Sequence, residues 1–151
     1  MRIERIVVAV DGSENSLVAV EWAAGLAVLV SAEVVAVHAL GLLEPLGSGD
    51  PVPTFPHRDE IQQLFETTWC AALDAAGVPT RRVFRDGPAV SVILSVADEV
   101  DADLIVAGSR GLGGYPELLL GSTSTQVAQS AHLPVMIVPV RSGGPDGRPP
   151  G

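Results

Sequence analysis

The chain has 151 residues, 47% of them hydrophobic and 4% aromatic, which is enough for one domain with a full core. Formal net charge is −9 and all nine cations are arginines; this balance argues against non-specific nucleic-acid binding, which rests on many cationic phosphate contacts, and the lack of lysine excludes Schiff-base and Walker-lysine chemistry. The single cysteine, Cys70, excludes an internal disulfide and a cysteine zinc cluster, and no apolar run reaches the roughly 18 residues that would span a bilayer.

Residues 5–10 (RIVVAV) form a β-branched run that suits a strand buried on both faces, and Asp11, Gly12 and Ser13 then supply a turn. The N-terminus enters this run with no small-residue cleavage site, so a soluble, cytoplasmic chain is expected. A helix follows. Ser13 or Ser16 can cap it, Glu14 favours its first turn, and Leu17, Val20, Ala24 and Ala27 recur at helical spacing. Residues 33–40 (EVVAVHAL) predict a second strand. Residues 41–57 hold four prolines, which predicts one long loop, either a cover for a site or a connector.

A single helix is predicted over residues 59–76, with Ile61, Leu64, Phe65, Thr68, Ala72 and Ala75 as its apolar face and Gly77 as its stop. Cys70 in this pattern reads as a small buried hydrophobe. A third strand over 79–85 and a helix over 89–99, started by Pro88, come next. Residues 103–108 (DLIVAG) are the fourth strand. A short helix opens at Gly121 and runs to Ala131, and PVMIVPV, from Pro134 to Val140, is the fifth strand. SGGPDGRPPG has the composition of a disordered tail over residues 142–151, which leaves one folded domain over 1–141. Strands alternating with helices in this rhythm predict an α/β fold, a five-stranded parallel sheet with helices on both faces.

Ligands of open parallel sheets sit beyond the carboxyl ends of the strands, where the strand order reverses. In the common order 3-2-1-4-5 that crevice lies between strands one and four, flanked by Asp11, Gly12 and Ser13 on one side and by GSRGLGGYPELLLGSTS, residues 108–124, on the other. This second stretch carries five glycines and four serines or threonines. Gly108 and Gly111 permit close backbone approach, successive N–H groups can form an anion-binding concavity, and Gly121 precedes a helix N-terminus whose free N–H groups attract anions. Ser122, Thr123 and Ser124 add hydroxyl donors. His38 is expected to pack on its strand, and the scatter of the three histidines offers no ready metal site.

The same stretch matches the GxxGx9G(S/T) pattern, with Gly108, Gly111, Gly121 and Ser122 in register. Together with VVAVDGSENS, EVVAVHAL and PVMIVPV, it makes residues 3–141 resemble the universal stress protein family, in the branch that binds ATP when the glycine motif is intact. The resemblance implies a single Rossmann-like domain of the adenine nucleotide alpha hydrolase-like type, usually homodimeric. It also implies roles for particular residues. Asp11 would hydrogen-bond the ribose, Ala39 would meet the adenine through its backbone, and Val10 and Ala107 would line the crevice. Gly108, Arg110, Gly111, Gly121, Ser122 and Thr123 would cradle the phosphates, with Mg2+ carried by the phosphates themselves. The chain departs from the family at Pro116 and Glu117, where a basic residue and glycine are frequent; an inward-facing Glu117 would weaken phosphate attraction.

Three functional classes stay open: a nucleotide-binding regulator of a stress response, a slow ATPase, and a dimeric interaction module without nucleotide. Efficient phosphoryl transfer needs a positioned nucleophile, a side-chain-held metal and cationic stabilisation, and near the motif the residues offer one arginine and Asp11, so no catalytic residue is assigned. The apolar fifth strand is expected at a sheet edge, where it would pair two copies. No protein partner is named by the residues.

Overall fold

The computed structural model describes residues 1–40, 55–110 and 120–139, with backbone only at 55–57. The expectations for Gly111, Pro116, Glu117 and Val140, for residues 41–54 of the loop expected over 41–57 and for the tail over 142–151 therefore lie outside the described residues, and residues 55–57 of that loop are helical instead.

Ten elements follow one another: β1 (Arg5–Ala9), α1 (Glu14–Val30), β2 (Glu33–Ala39), α2 (Phe55–Glu66), α3 (Ala71–Ala76), β3 (Thr80–Arg85), α4 (Ala89–Glu99), β4 (Leu104–Gly108), α5 (Ser122–Ser130) and β5 (Val135–Val138). The strands form one parallel sheet in the order β3-β2-β1-β4-β5, as expected, with β1 paired to both β2 and β4. Chain direction reverses its lateral course at β1, so the switch point lies between β1 and β4.

Alternation along each strand divides the core into two layers. Ile6 and Val8 of β1, with Val34 and Ala36 of β2, pack beneath α1 and beside Phe65 and Leu73. Val7, Val35, Val37 and Ile105 face the opposite way, onto Ile93 and Val96 of α4 and Val127 of α5. Helices thus cover both faces, which is why β1 and β4 at the centre read as largely apolar runs, whereas the edge strand β3 carries Arg81, Arg82 and Arg85. The buried stripe of α1 consists mainly of Ala19, Val20, Ala23, Ala24 and Ala27, and its small side chains let the helix axis lie close to the sheet. Ser13 is the cap of α1: its hydroxyl accepts from the Ser16 N–H at 3.2 Å.

Two sequence expectations are corrected here. The helix predicted over 59–76 begins earlier, at Phe55, because Pro56 falls in the first turn, where its missing N–H has no helical partner to lose. The same segment is two helices, not one. At the break, the Thr67 hydroxyl donates to the Gln63 carbonyl at 2.6 Å and the Trp69 N–H reaches back five residues to the Leu64 carbonyl at 2.9 Å. The Gln63 carbonyl thus accepts from both the hydroxyl and the N–H of Thr67, and such side-chain back-bonding weakens and bends a helix. The break also changes the helical phase. Phe65, Cys70 and Leu73 are fully buried, whereas Thr68 and Ala75, predicted for the same face, are exposed. Gly77 ends α3 with φ of 69°, as a left-handed glycine cap should.

Candidate functional site

The site is built from what leaves the carboxyl ends of β1, β2 and β4. After β1, Val10 is 2% exposed and its side chain belongs to the core beneath α1. Any contribution it makes to the crevice is therefore through its backbone. Asp11 folds back on itself: Oδ1 accepts from the Ser13 N–H at 2.9 Å and from the Ser13 hydroxyl at 2.5 Å. Among the described residues no donor reaches Oδ2, so half of the carboxylate is left available at the crevice. Gly12 between them has φ of 83°, a left-handed conformation that strains any other residue.

His38 lies one residue before the end of β2 and is 8% exposed. Its Nδ1 is 2.6 Å from the Val10 carbonyl, and because a carbonyl only accepts, Nδ1 carries the proton. This bond ties the end of β2 to the end of β1. The ring is enclosed by Phe65, Trp69 and Phe84 at centroid distances of 5.9, 5.3 and 5.5 Å. Burial pushes the imidazole pKa below its usual value, against smaller opposing effects of the Val10 carbonyl and the Asp11 charge. Neutral His38 is thus a packed structural group, as its strand position predicted. Ala39, next along, is half-buried at the strand end.

Across the switch point, Ala107 is 5% exposed and Gly108 closes β4. A Cβ on Gly108 would lie 2.8 Å from the carbonyl oxygen of Asn15 in the first turn of α1. The close approach expected of this glycine is therefore made by a neighbouring helix. Ser109 donates its N–H to the Val138 carbonyl and accepts from the Gly121 N–H at 2.5 Å, which brings the start of α5 back against the end of β4. The Ser124 hydroxyl donates to the Ser109 and Gly121 carbonyls at 3.0 and 3.1 Å and is buried, so it fastens this return.

The two helix starts at the crevice differ. Ser13 caps α1, but Gly121 at the head of α5 provides no side-chain cap. The first-turn N–H groups of α5, at Ser122 and Thr123, thus lack the capping partner that a serine or aspartate would offer. Arg110 follows β4 and is half-buried. The expected Asp11, Gly12, Ser13, Ala39, Gly108, Arg110, Gly121, Ser122 and Thr123 all lie at or just beyond strand ends or at the head of α5. Three relationships were not foreseeable from the sequence: the tie between His38 and Val10, the seat of Gly108 on Asn15, and the position of Trp69. A Cβ on Gly12 would overlap the Trp69 indole.

An open parallel sheet with a glycine turn, a carboxylate and an uncapped helix start at its switch point defines a class of α/β proteins with a crevice suited to small polar ligands. Residues 2–139 match the model of the universal stress protein family, and the chain belongs to that family. The universal stress protein YxiE of Bacillus subtilis is 32% identical over 144 residues, covering 89% of this chain and 97% of YxiE. A universal stress protein solved in complex with cAMP is 29% identical, with a TM-score of 0.71 over 91% of this chain and 98% of its own. The universal stress protein from Archaeoglobus fulgidus in complex with dAMP is 26% identical, with a TM-score of 0.66 over 91% and 99% of the two chains.

Proposed function

We propose that this protein binds an adenine nucleotide, ATP in the first instance, in the crevice between β1 and β4, and acts as a nucleotide-dependent regulator in stress response rather than as an efficient enzyme. The observation that carries the reading is the uncapped start of α5, held against β4 by the bond between Gly121 and Ser109. Helix N–H groups without a cap, at the positive end of the helix dipole, suit phosphate. Two similar proteins crystallised with cAMP and dAMP support the choice of an adenine nucleotide.

In this reading the open Oδ2 of Asp11 takes a ribose hydroxyl, and the backbone at Val10 and Ala39 meets the nucleoside. Gly108, Arg110, Gly111, Gly121, Ser122 and Thr123 surround the phosphates, while Gly12, Ser13 and Ser124 hold the two turns in shape. Mg2+ would arrive on the phosphates: among the described residues no group of three His, Cys, Asp or Glu side chains converges to hold a metal. Function in the cytoplasm as a homodimer completes the proposal. The dimer is supported by β5, an edge strand, and by an apolar groove of about 450 Å³ beside it, lined by Trp22, Leu29 and Met136 among others. Leu29 and Trp22, which both line it, are 81% and 54% exposed, so the groove is part of an apolar patch of the kind that marks an interaction surface.

Thermal unfolding tests the nucleotide reading. ATP at 100 times its Kd stabilises a protein that binds it by about 2.7 kcal/mol, so millimolar ATP should raise the Tm by several degrees, and Asp11→Ala should lose most of that rise. Wild-type protein with no shift, and with no ATP retained in equilibrium dialysis, would overturn the reading.

A further inference from the structure

The ladder between β1 and β2 stops one bond short of where its register leads. Val10 donates its N–H to the Val37 carbonyl at 2.8 Å, and on the far side of β2 the Leu40 N–H reaches the Arg85 carbonyl at 2.8 Å. Main-chain groups along a strand address its two neighbours alternately, so Val37 and Ala39 address β1 while His38 and Leu40 address β3. The next bond of the parallel pattern would run from the Ala39 N–H to the Val10 carbonyl. That carbonyl is taken instead by the Nδ1–H of His38, at 2.6 Å.

Beyond Val10 the chain leaves the sheet: the Asp11 N–H turns to the Ser16 hydroxyl at 3.2 Å, and Gly12 takes φ of 83° on the way into α1. β2 runs further. Ala9 is level with Val37, so Ala39 extends two residues past the last paired position of β1. Among the described residues no acceptor meets the Ala39 N–H and no donor meets its carbonyl. An extended residue presents both groups along one edge, and here that edge faces the space beyond the end of β1, at the switch point. Ala39 turns its methyl towards the α4 face of the sheet, and His38 turns its ring to the opposite face, among Phe65, Trp69 and Phe84. Neither side chain stands in the plane of that edge.

We infer that His38 is a positioning residue for base recognition: by holding the Val10 carbonyl it keeps the N–H and C=O of Ala39 available to the ligand as a paired donor and acceptor. Adenine offers the complementary edge, with N1 as acceptor beside the 6-amino donor. Guanine and hypoxanthine present a protonated N1 beside O6, which sets donor against donor and acceptor against acceptor. The three aromatic neighbours fix the imidazole, and the carbonyl it meets fixes the tautomer that donates. The inference rests on the nucleotide reading and adds to it the group that decides which base is taken. The phosphate end, at the start of α5, is independent of it.

The test uses the full chain, isotopically labelled for amide exchange. In the ligand-free protein the Ala39 amide should exchange with solvent faster than that of Val37, its counterpart inside the ladder. ATP should slow it, and inorganic tripolyphosphate, which has no base, should not. Equilibrium dialysis should show ATP bound roughly tenfold or more tightly than ITP, the scale of one mismatched hydrogen bond. His38→Phe keeps an aromatic ring but has no donor, so the Val10 carbonyl returns to the Ala39 N–H. The preference for ATP over ITP should then fall away, with tripolyphosphate bound as by wild type. His38→Asn carries Nδ2 at the position of Nδ1 and should keep the preference; a packing role predicts the reverse ranking of the two variants. If either variant fails to fold, the wild-type exchange and the wild-type preference decide. An Ala39 amide as slow as Val37 before ATP is added, no preference for ATP over ITP, or a preference that survives in His38→Phe overturns the role of His38 and leaves the nucleotide reading standing. Equal weakening of ATP and tripolyphosphate in His38→Phe also overturns it, as the mark of a general structural effect. Absence of ATP binding to wild type overturns both.

Discussion

His38 donates through Nδ1 to the carbonyl of Val10, 2.6 Å away, and this one bond joins the ends of two neighbouring strands beneath a layer of aromatic rings. A charged imidazole is disfavoured there because burial removes it from water, and its pKa is lowered from 6.5 for that reason. In the unfolded chain the same group takes up a proton near 6.5, so below that pH the unfolded state binds more protons than the folded one. The stabilisation is complete above 6.5 and is lost as pH falls towards and through the lowered folded value. Urea unfolding at pH 7.5 and at pH 5.5 should show wild type weakening on acidification by more than His38→Phe does. Identical pH dependence in the two proteins would show that His38 is not the cause.

Two glycines should respond to alanine in opposite directions. At Gly108 the added Cβ meets the Asn15 backbone at 2.8 Å, and backbone in the first turn of a capped helix has little room to give. Overpacking of this kind costs about 1–3 kcal/mol. Gly25 is exposed in the middle of α1 and has nothing within 4 Å of an added Cβ, so alanine there should stabilise by about 0.8–1.0 kcal/mol. Denaturant titration of both variants decides the matter, and a neutral Gly108→Ala would remove the packing explanation for that residue.

Cys70 is fully buried, and burial pushes its thiol pKa up to about 11. At pH 8 about one molecule in a thousand would carry the thiolate that reacts with a disulfide reagent. Native protein should consequently react far more slowly with such a reagent than protein in denaturant, and reaction in the native state should track unfolding. A fast reaction at pH 8 without denaturant would contradict the burial.

The edge of β5 has a defined polarity. Pro134 and Val138 give their carbonyls to Ile105 and Ser109 of the β4 side, so the intervening Val135 and Ile137 direct their main-chain groups outward. Ile137→Pro removes one outward N–H and leaves the pairing with β4 intact, which is where proline is tolerated in a sheet. If two copies pair along this edge, light scattering at micromolar concentration gives a dimer for wild type and a monomer for Ile137→Pro. A wild-type monomer would end the dimer proposal.

The centre of the sheet was legible in the sequence because β1, β2 and β4 are buried along most of their length and so read as short apolar runs between turn residues. Its parallel character followed from the alternation of strands and helices, and the order common to such sheets, which this one has, led through the switch point to both lips of the crevice. The division of residues 59–76 was not legible. Nothing in a periodic apolar pattern registers that the Thr67 hydroxyl will bond back to the Gln63 carbonyl. That miss concealed Trp69, whose place depends on the break and on contact with Gly12, far away in the chain. Gly108 was recognised as a point of close approach, but the partner, Asn15, could be identified only from the packed structure.

The contact between Gly108 and Asn15 also bears on how any signal could leave the crevice. One lip belongs to β4 and the other to the first turn of α1, and here they lie so close that a Cβ on Gly108 would stand 2.8 Å from the Asn15 carbonyl oxygen. Separating them would break packing rather than bend a hinge. The two lips are thus packed directly on one another, and parting them costs this contact. In the nucleotide reading, the change that binding brings is then expected in the residues above this contact, with the contact itself retained.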